Sequence, residues 1–289
     1  MLDMKLVKID STQVGSDRYN SSHHSSDEAP GSIPSEAPYA YNRWLNLIQR
    51  SQNIASQGVQ HVSLSPRQGR LLIMASEASV HTRAMNRVYA EELSELIAPS
   101  LSLLDFGSEG LFLRLDACSP KDGAPGNFPM KTVYDILLRI TTSYRARNSI
   151  QDLLEANAES INLWFLPYNK TMNTSLEYRV FCAPPNGSIT AISQYQWHKP
   201  SVFRDRSEEE LGRIAKNIKD EVIRIHEEIR NEVKARMDAK STNDGLDDMF
   251  LKQGFSFDVL FDELAERCVL VELNGFGARS WCGACLSIG

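Results

Sequence analysis

Between Ser207 and Ala239 the apolar residues Leu211, Ile214, Ile218, Val222, Ile225, Ile229 and Val233 recur at alternating steps of three and four. That period lays one apolar stripe along a single long helix, and a stripe of that length must be covered by something equally long. Opposite charges four apart line its other side: Glu209 with Arg213, Asp220 with Arg224, and Glu232 with Arg236. Two coverings fit the stripe, a coiled-coil partner or a sheet of the same chain, and the sheet is the plainer of the two. His226 lies on this helix and reads as an ordinary surface residue.

The flanking sequence supplies the sheet. The runs 111–117 (LFLRLDA), 161–166 (INLWFL), 177–183 (EYRVFCA) and 188–194 (SITAISQ) are short, rich in β-branched and aromatic residues, and bounded by Pro, Gly and Asn. Pro184-Pro185-Asn186-Gly187 joins the last two as a hairpin, since Pro fixes φ and Asn-Gly accepts positive φ. Beyond the long helix come two further strands, 254–261 (GFSFDVLF) and 268–274 (CVLVELN). Helices that fall between strand pairs, with at least one hairpin, predict an α+β protein rather than a parallel doubly wound one.

Ahead of the strands, Trp44, Leu45, Leu47 and Ile48 have the spacing of a helix face, and a second helix is expected between Gly69 and Pro99. The stretch from Gly15 to Pro38 is Ser, His, Pro and Asp with almost nothing apolar. It cannot offset the roughly 1–2 kcal/mol per residue that ordering a backbone costs. The expected organisation is a disordered tail over 1–38, a helical region over 39–109 and a core over 110–289. Within the tail, the pair His23-His24 has no partners and makes a weak metal site.

With 42% hydrophobic residues the chain has enough apolar material for a core. Its 31 Lys and Arg against 37 Asp and Glu give a net charge of −6, which argues against direct nucleic-acid binding. No apolar run approaches the ~20 residues of a membrane span, and the N-terminus lacks a signal-peptide core, so a cytoplasmic protein without a membrane role is expected. The five cysteines are an odd number without disulfide spacing, which suits a reducing compartment. Trp281-Cys282-Gly283-Ala284-Cys285 looks like a thioredoxin active site, but only four residues follow Cys285, too few for the helix that would activate the first thiol. Neither redox chemistry nor zinc binding is expected there.

The chemistry is expected on the last two strands. A two-residue period puts Phe255, Phe257, Val259 and Phe261 on one face and leaves Ser256, Asp258 and Leu260 on the other. On the following strand Leu270, Glu272 and Asn274 are expected to share a face. A carboxylate in a strand this apolar is expensive to bury unless a cation or hydrogen-bond network compensates it. Oxygen ligands from Asp, Glu and Asn suit a hard cation such as Mg, which takes one or two carboxylates plus substrate phosphates. A face that is simply wet, with its acids turned to water, explains the same spacing. On the hairpin, Glu177 and Arg179 sit two apart on one strand face and Gln194 ends the returning strand. This cluster reads either as a phosphate-binding Arg with an orienting acid or as a structural Arg–Glu pair.

Glu-Tyr-Arg-Val-Phe, Ala-Ile-Ser-Gln, Phe-Asp-Val and Val-Glu-Leu-Asn-Gly-Phe-Gly, in this order and at these separations, resemble the cell division cycle protein 123 family. That family's pattern is Glu-Phe-Arg-x-Phe-Val, Ile-Ser-Gln, Phe-Asp-Val/Ile and Ile-Asp-Phe-Asn-Pro-Phe-Gly. Upstream, the segment from Phe112 to Asp116 and Ser119-Pro120-Lys121-Asp122 are similar to its Phe-Pro-Lys-Leu-Asn and Ser-x-Pro-Lys/Arg-Asp. The resemblance implies an ATP-grasp-like fold, with mixed and antiparallel sheets and flanking helices, whose two α+β subdomains hold ATP with Mg. It implies an assembly factor that joins subunits of translation initiation factor 2. By position it makes Asp258, Glu272 and Asn274 metal ligands, and it places Arg114, Asp122, Glu177, Arg179, Gln194 and Asp258 at the nucleotide. Arg114 stands where the family has a phosphate-contacting Lys, and the segment from Leu163 to Leu166 stands where it has the strand at adenine. No catalytic residue is assigned, and an ATP-dependent ligase joining a carboxylate to an amine or thiol is the alternative function on such a fold.

Overall fold

The computed structural model describes residues 5–8, 34–196, 199–239 and 245–277. The chain divides into two compact units, one made of residues 1–53 and 171–289, the other of residues 54–170. This differs from the consecutive division expected from sequence, because the first helix packs with the last strand: the Leu270 N–H donates to Ser51 Oγ at 2.8 Å and Gln52 Nε2 donates to the Leu270 carbonyl at 2.7 Å. That helix, α1 (Tyr41–Gln52), turns Trp44, Leu45, Leu47, Ile48 and Ser51 inward and ends at Asn53 in a left-handed conformation.

The 54–170 unit begins with β1 (Gln60–Leu64). Ser65 and Gln68 form a reciprocal capping box, with Pro66 at the first helical position, and start α2 (Pro66–Thr82). The single helix expected over 69–99 is in fact broken. Arg83, at φ +56°, ends α2, and the Asn86 side chain accepts from Val88 N–H before the short α3 (Ala90–Leu96) and α4 (Ala98–Leu101). Next come β2 (Leu111–Leu115), α5 (Val133–Thr141), α6 (Tyr144–Glu155) and β3 (Ile161–Pro167). The three strands form an antiparallel sheet in the order β1-β3-β2. Leu113, Leu115, Leu163 and Phe165 pack with Leu72, Ile136, Ile140 and Ile150 of the helices in its core.

The other unit contains β4 (Glu177–Ala183), β5 (Ser188–Gln194), α7 (Glu208–Ala239), α8 (Leu246–Gln253), β6 (Phe255–Asp262) and β7 (Arg267–Gly275). Its sheet is antiparallel throughout in the order β5-β4-β6-β7. The apolar stripe of α7 is covered within the chain, with Ile214, Ile218, Val222, Ile225, Ile229 and Val233 all buried. Only one of the expected helix pairs forms, Glu232 with Arg236 at 3.9 Å. Arg213 pairs instead with Glu266, and Arg224 takes Glu221 and Glu228 while donating to the Cys268 carbonyl, because these longer arms clip the helix to the sheet.

Two details correct the sequence reading. Most of the expected tail lies outside the described residues, yet its last part is packed: Trp44 Nε1 donates to the Pro38 carbonyl at 3.0 Å and Ser35 N–H to Gln253 Oε1 at 2.9 Å. His226 is buried rather than on the surface. Its ring stacks against Phe255 and Phe257, and Nε2 donates to the Gly187 carbonyl at 2.7 Å, which fixes the Nε2–H tautomer. Gly187 has φ +60°, and a Cβ there would fall 2.6 Å from the Phe255 ring, so this hairpin turn admits glycine alone. No helix among the described residues is long and apolar enough to cross a membrane.

Burial holds the His226 ring below its ordinary pKa of 6.5, with Arg230 adding to the effect against the pull of the Gly187 carbonyl and Glu227. Above 6.5 both folded and unfolded chains carry a neutral ring; below it the unfolded chain binds a proton that the folded one resists, so stability falls with falling pH. Urea denaturation midpoints between about pH 7.5 and pH 5.5 should drop more steeply for the native chain than for His226→Gln. Equal slopes would exclude His226 as the source.

Candidate functional site

Alternation along the four-stranded sheet gives it two unlike faces. Val180, Phe257, Val259 and Phe261 point to the side where His226, Phe203 and Phe250 pack. On the other side the register builds a row of polar residues across all four strands: Ser193 of β5 opposite Arg179 of β4, Arg179 opposite Asp258 of β6, and Asp258 opposite Glu272 of β7. The next rows add Glu177 opposite Leu260, and Phe181, Ser256 and Asn274 in line.

Asp258 is 0% exposed, and its carboxylate is held side-on by Arg179, with Nε to Oδ1 and a terminal nitrogen to Oδ2 both at 2.8 Å. The Tyr195 ring lies 4.9 Å from the guanidinium carbon, and the Tyr195 N–H donates to the Glu177 carbonyl at 2.8 Å. Glu272 and Glu177 are buried as well, each 5% exposed. The two clusters read separately from the sequence, one for metal and one for phosphate, are therefore a single cluster in which the Arg of one clamps the Asp of the other. Tyr195 was missed; its only sequence signal is its place directly after Gln194.

A β-bulge settles which residues of β7 join this face. Asp258 pairs with Glu272 but Val259 pairs with Leu270, so Val271 is the extra residue. Leu270, expected beside Glu272 and Asn274, is turned to the opposite, apolar face with Val259. Glu272 and Asn274 stay with Asp258. Gln194 is not brought to the cluster either. It pairs with Tyr178 on the apolar side, and its Nε2 donates to the carbonyls of Gln196 at 2.9 Å and Lys199 at 3.1 Å, which folds the chain after β5.

The donor set fits a hard cation. Asp258 and Glu272 offer carboxylate oxygens, and the Asn274 Nδ2 is a buried atom with no hydrogen-bond partner among the described residues. A half-turn of that amide exchanges Nδ2 with the carbonyl oxygen and presents an acceptor in its place. Among the described residues no group of three or more His, Cys, Asp or Glu has the arrangement of a metal site; the set here is two carboxylates and an amide.

The 54–170 unit carries the other two expected residues. Arg114 on β2 is 7% exposed and lies opposite Trp164, whose indole nitrogen donates to Asp116 at 2.8 Å and whose ring stacks on His61 with centroids 4.2 Å apart. Asp122 caps α6: it accepts from Ser143 Oγ at 2.5 Å and from the Arg145 N–H at 3.2 Å. Both lie near Cys118, whose thiol burial pushes up while Arg145 and Arg114 oppose the shift. Cys182 and Cys268 are likewise buried, the latter thiol pushed up to about 12 mainly by burial. Cys282, Cys285 and His23-His24 lie outside the described residues.

No family model and no curated protein matches the chain by sequence. Solved structures do match by fold. Cdc123 from Schizosaccharomyces pombe superposes with a TM-score of 0.54 at 17% identity, covering 86% of this chain and 89% of that one. The C-terminally truncated form of the same protein gives 0.51 at 16% identity, covering 84% and 85%. The chain thus has an α+β fold like that of Cdc123.

Removing one partner of a buried ion pair leaves the other charge stranded and costs about 3–5 kcal/mol, whereas removing both costs less than the sum. Asp258→Leu and Arg179→Met should each lower the denaturant midpoint strongly, and the double variant should recover roughly 1–3 kcal/mol of the summed loss. Strict additivity would mean that the pair is not coupled in solution.

Proposed function

We propose that the chain is a Mg-dependent ATP-binding protein of the cell division cycle protein 123 type that promotes assembly of translation initiation factor 2. The observation that carries this reading is the buried row of Arg179, Asp258 and Glu272 with the Asn274 amide beside it. Two carboxylates opposed on neighbouring strands repel unless a cation lies between or beside them, and an amide with an unanswered polar atom adds a further donor. A bound Mg ion would add its charge to that of Arg179 and neutralise the phosphates of the nucleotide. Around it, Asp258, Glu272 and Asn274 serve as ligands, and Arg179 offers a planar fork suited to phosphate oxygens.

In the 54–170 unit, taken by itself, Arg114 stands where the resemblance expects a phosphate-contacting Lys, and its planar fork differs from that residue's point charge. Both Asp122 oxygens accept hydrogen bonds from the start of α6, so Asp122 ties the turn after Ser119 to that helix. The partner is carried over from the resemblance in sequence and supported by the likeness in fold. No residue on either unit is assigned a bond-breaking role.

Calorimetry should show ATP binding that requires Mg and is abolished by a chelator. Asp258→Asn/Glu272→Gln, checked for folding by circular dichroism, should weaken it at least about tenfold, the loss of one charged contact or more. Unchanged affinity in that folded variant would reject the site. Tagged protein should retain a subunit of translation initiation factor 2 from a purified mixture of its subunits, and failure to do so with ATP and Mg present would reject the partner.

A further inference from the structure

Within the 54–170 unit the segments 78–90 and 136–151 carry Arg83, Arg87, Arg139, Arg145 and Arg147 and not one Asp or Glu. Three of these arginines meet where the end of α2 lies beside the start of α6. Arg83, the residue that ends α2, donates a guanidinium hydrogen to the Asp122 carbonyl at 3.1 Å, and the Arg145 N–H donates to the Asp122 carboxylate at 3.2 Å. Asn86 N–H donates to Ser79 Oγ at 2.9 Å, which folds Arg87 back beside the same helix end, and the Tyr144 hydroxyl meets His81 Nδ1 at 2.8 Å. Asp122 spends its two oxygens on Ser143 Oγ and the Arg145 N–H. The exposed guanidiniums of Arg83, Arg87 and Arg145 therefore have no carboxylate partner among the described residues.

The other unit answers its exposed arginines within the chain: Arg50 pairs with Glu232, Arg206 with Glu210 and Arg213 with Glu266. Arg83 has a local reason for its place, since the last carbonyls of α2 favour a cation. Arg145 has none. The first turn of α6 holds Arg145 and Arg147 and no acid, at the end where the helix dipole disfavours positive charge. We infer that Arg83, Arg87 and Arg145, with Tyr144 among them, form a docking surface for an acidic, Asp- and Glu-rich segment of a partner protein. Charge complementarity identifies this occupant, because planar guanidinium forks match carboxylates two bonds at a time. The 43% exposed Tyr144 ring adds apolar contact for the stems of such side chains. Nucleic acid suits the surface less, since its phosphates continue past three cations onto a chain whose net charge is −6. The inference is independent of the nucleotide reading and uses none of its residues.

The test uses the full chain and a fluorescein-labelled oligoglutamate peptide, followed by fluorescence anisotropy. The native protein should bind the peptide at about 50 mM salt and lose most of that binding by about 300 mM. Arg83→Gln/Arg145→Gln should weaken binding roughly tenfold or more. Arg67→Gln/Arg70→Gln removes the same charge from the opposite end of α2 and should change it less than about twofold. Arg145→Gln alone relieves the unfavourable dipole contact, so it should melt no lower than the native chain while still binding the peptide several-fold more weakly; it decides the matter if the double variant folds poorly. The surface is rejected if the native chain ignores the peptide or if the two double variants weaken binding equally. It is also rejected if an oligouridine of equal charge binds through the same arginines more tightly than the peptide does.

Discussion

A carboxylate sealed inside a sheet has to be answered by a cation on a neighbouring strand, and Asp258 is answered by Arg179. That requirement reaches well beyond the two side chains. It demands that β6 lie against β4 although β5 and the whole of α7 separate them in sequence, which is the observed order β5-β4-β6-β7. It also pins the register. A slip of one residue would turn Asp258 into the apolar layer with His226 and Phe250 and bring Phe257 to the guanidinium, so the ion pair and the aromatic layer enforce the same alignment from opposite sides of the strand.

Much of this was legible in the sequence because the signals were periodic. The stripe from Leu211 to Val233 gave the long helix within one residue of its observed start, and the alternation in β4 to β7 located each strand and the two faces of β6. What escaped was encoded in caps and in single residues. The helices α5 and α6 are set by Thr132 with Asp135 and by Ser143, and the break after α2 by one left-handed Arg83, none of which alters hydropathy over a window. His226 was misread because a helix position next to the stripe is polar in general, and only the Gly187 carbonyl opposite makes a buried imidazole acceptable here.

The site was half legible for a related reason. Asp258, Glu272 and Asn274 follow from alternation, and they do share a face. Leu270 does not, since a bulge at Val271 inverts the strand's sense midway, and no pattern in a run as apolar as Val269 to Leu273 marks where an extra residue is absorbed. The bond from Arg179 to Asp258 spans strands far apart in sequence, so it depended on the strand order, which periodicity leaves undetermined. Gln194 shows the converse. Its place at a strand end matched a motif, while its side chain is spent on the carbonyls of the following turn.

The seam between α1 and β7 sets a schedule for the ribosome. Residues 54–170 form one uninterrupted unit and can fold as soon as they emerge. The unit around Asp258 has its first helix made early and its last strand made late, and Ser51 waits for Leu270 across the whole intervening chain. Until the chain beyond α7 is synthesised, Trp44 of α1 lacks the Phe250 ring that packs on it, and until β7 follows, β6 keeps an open edge. The half of the protein that holds the buried carboxylates is therefore the half whose assembly depends on the longest loop closure, and it is where nascent chains are most exposed to chaperones and to misfolding.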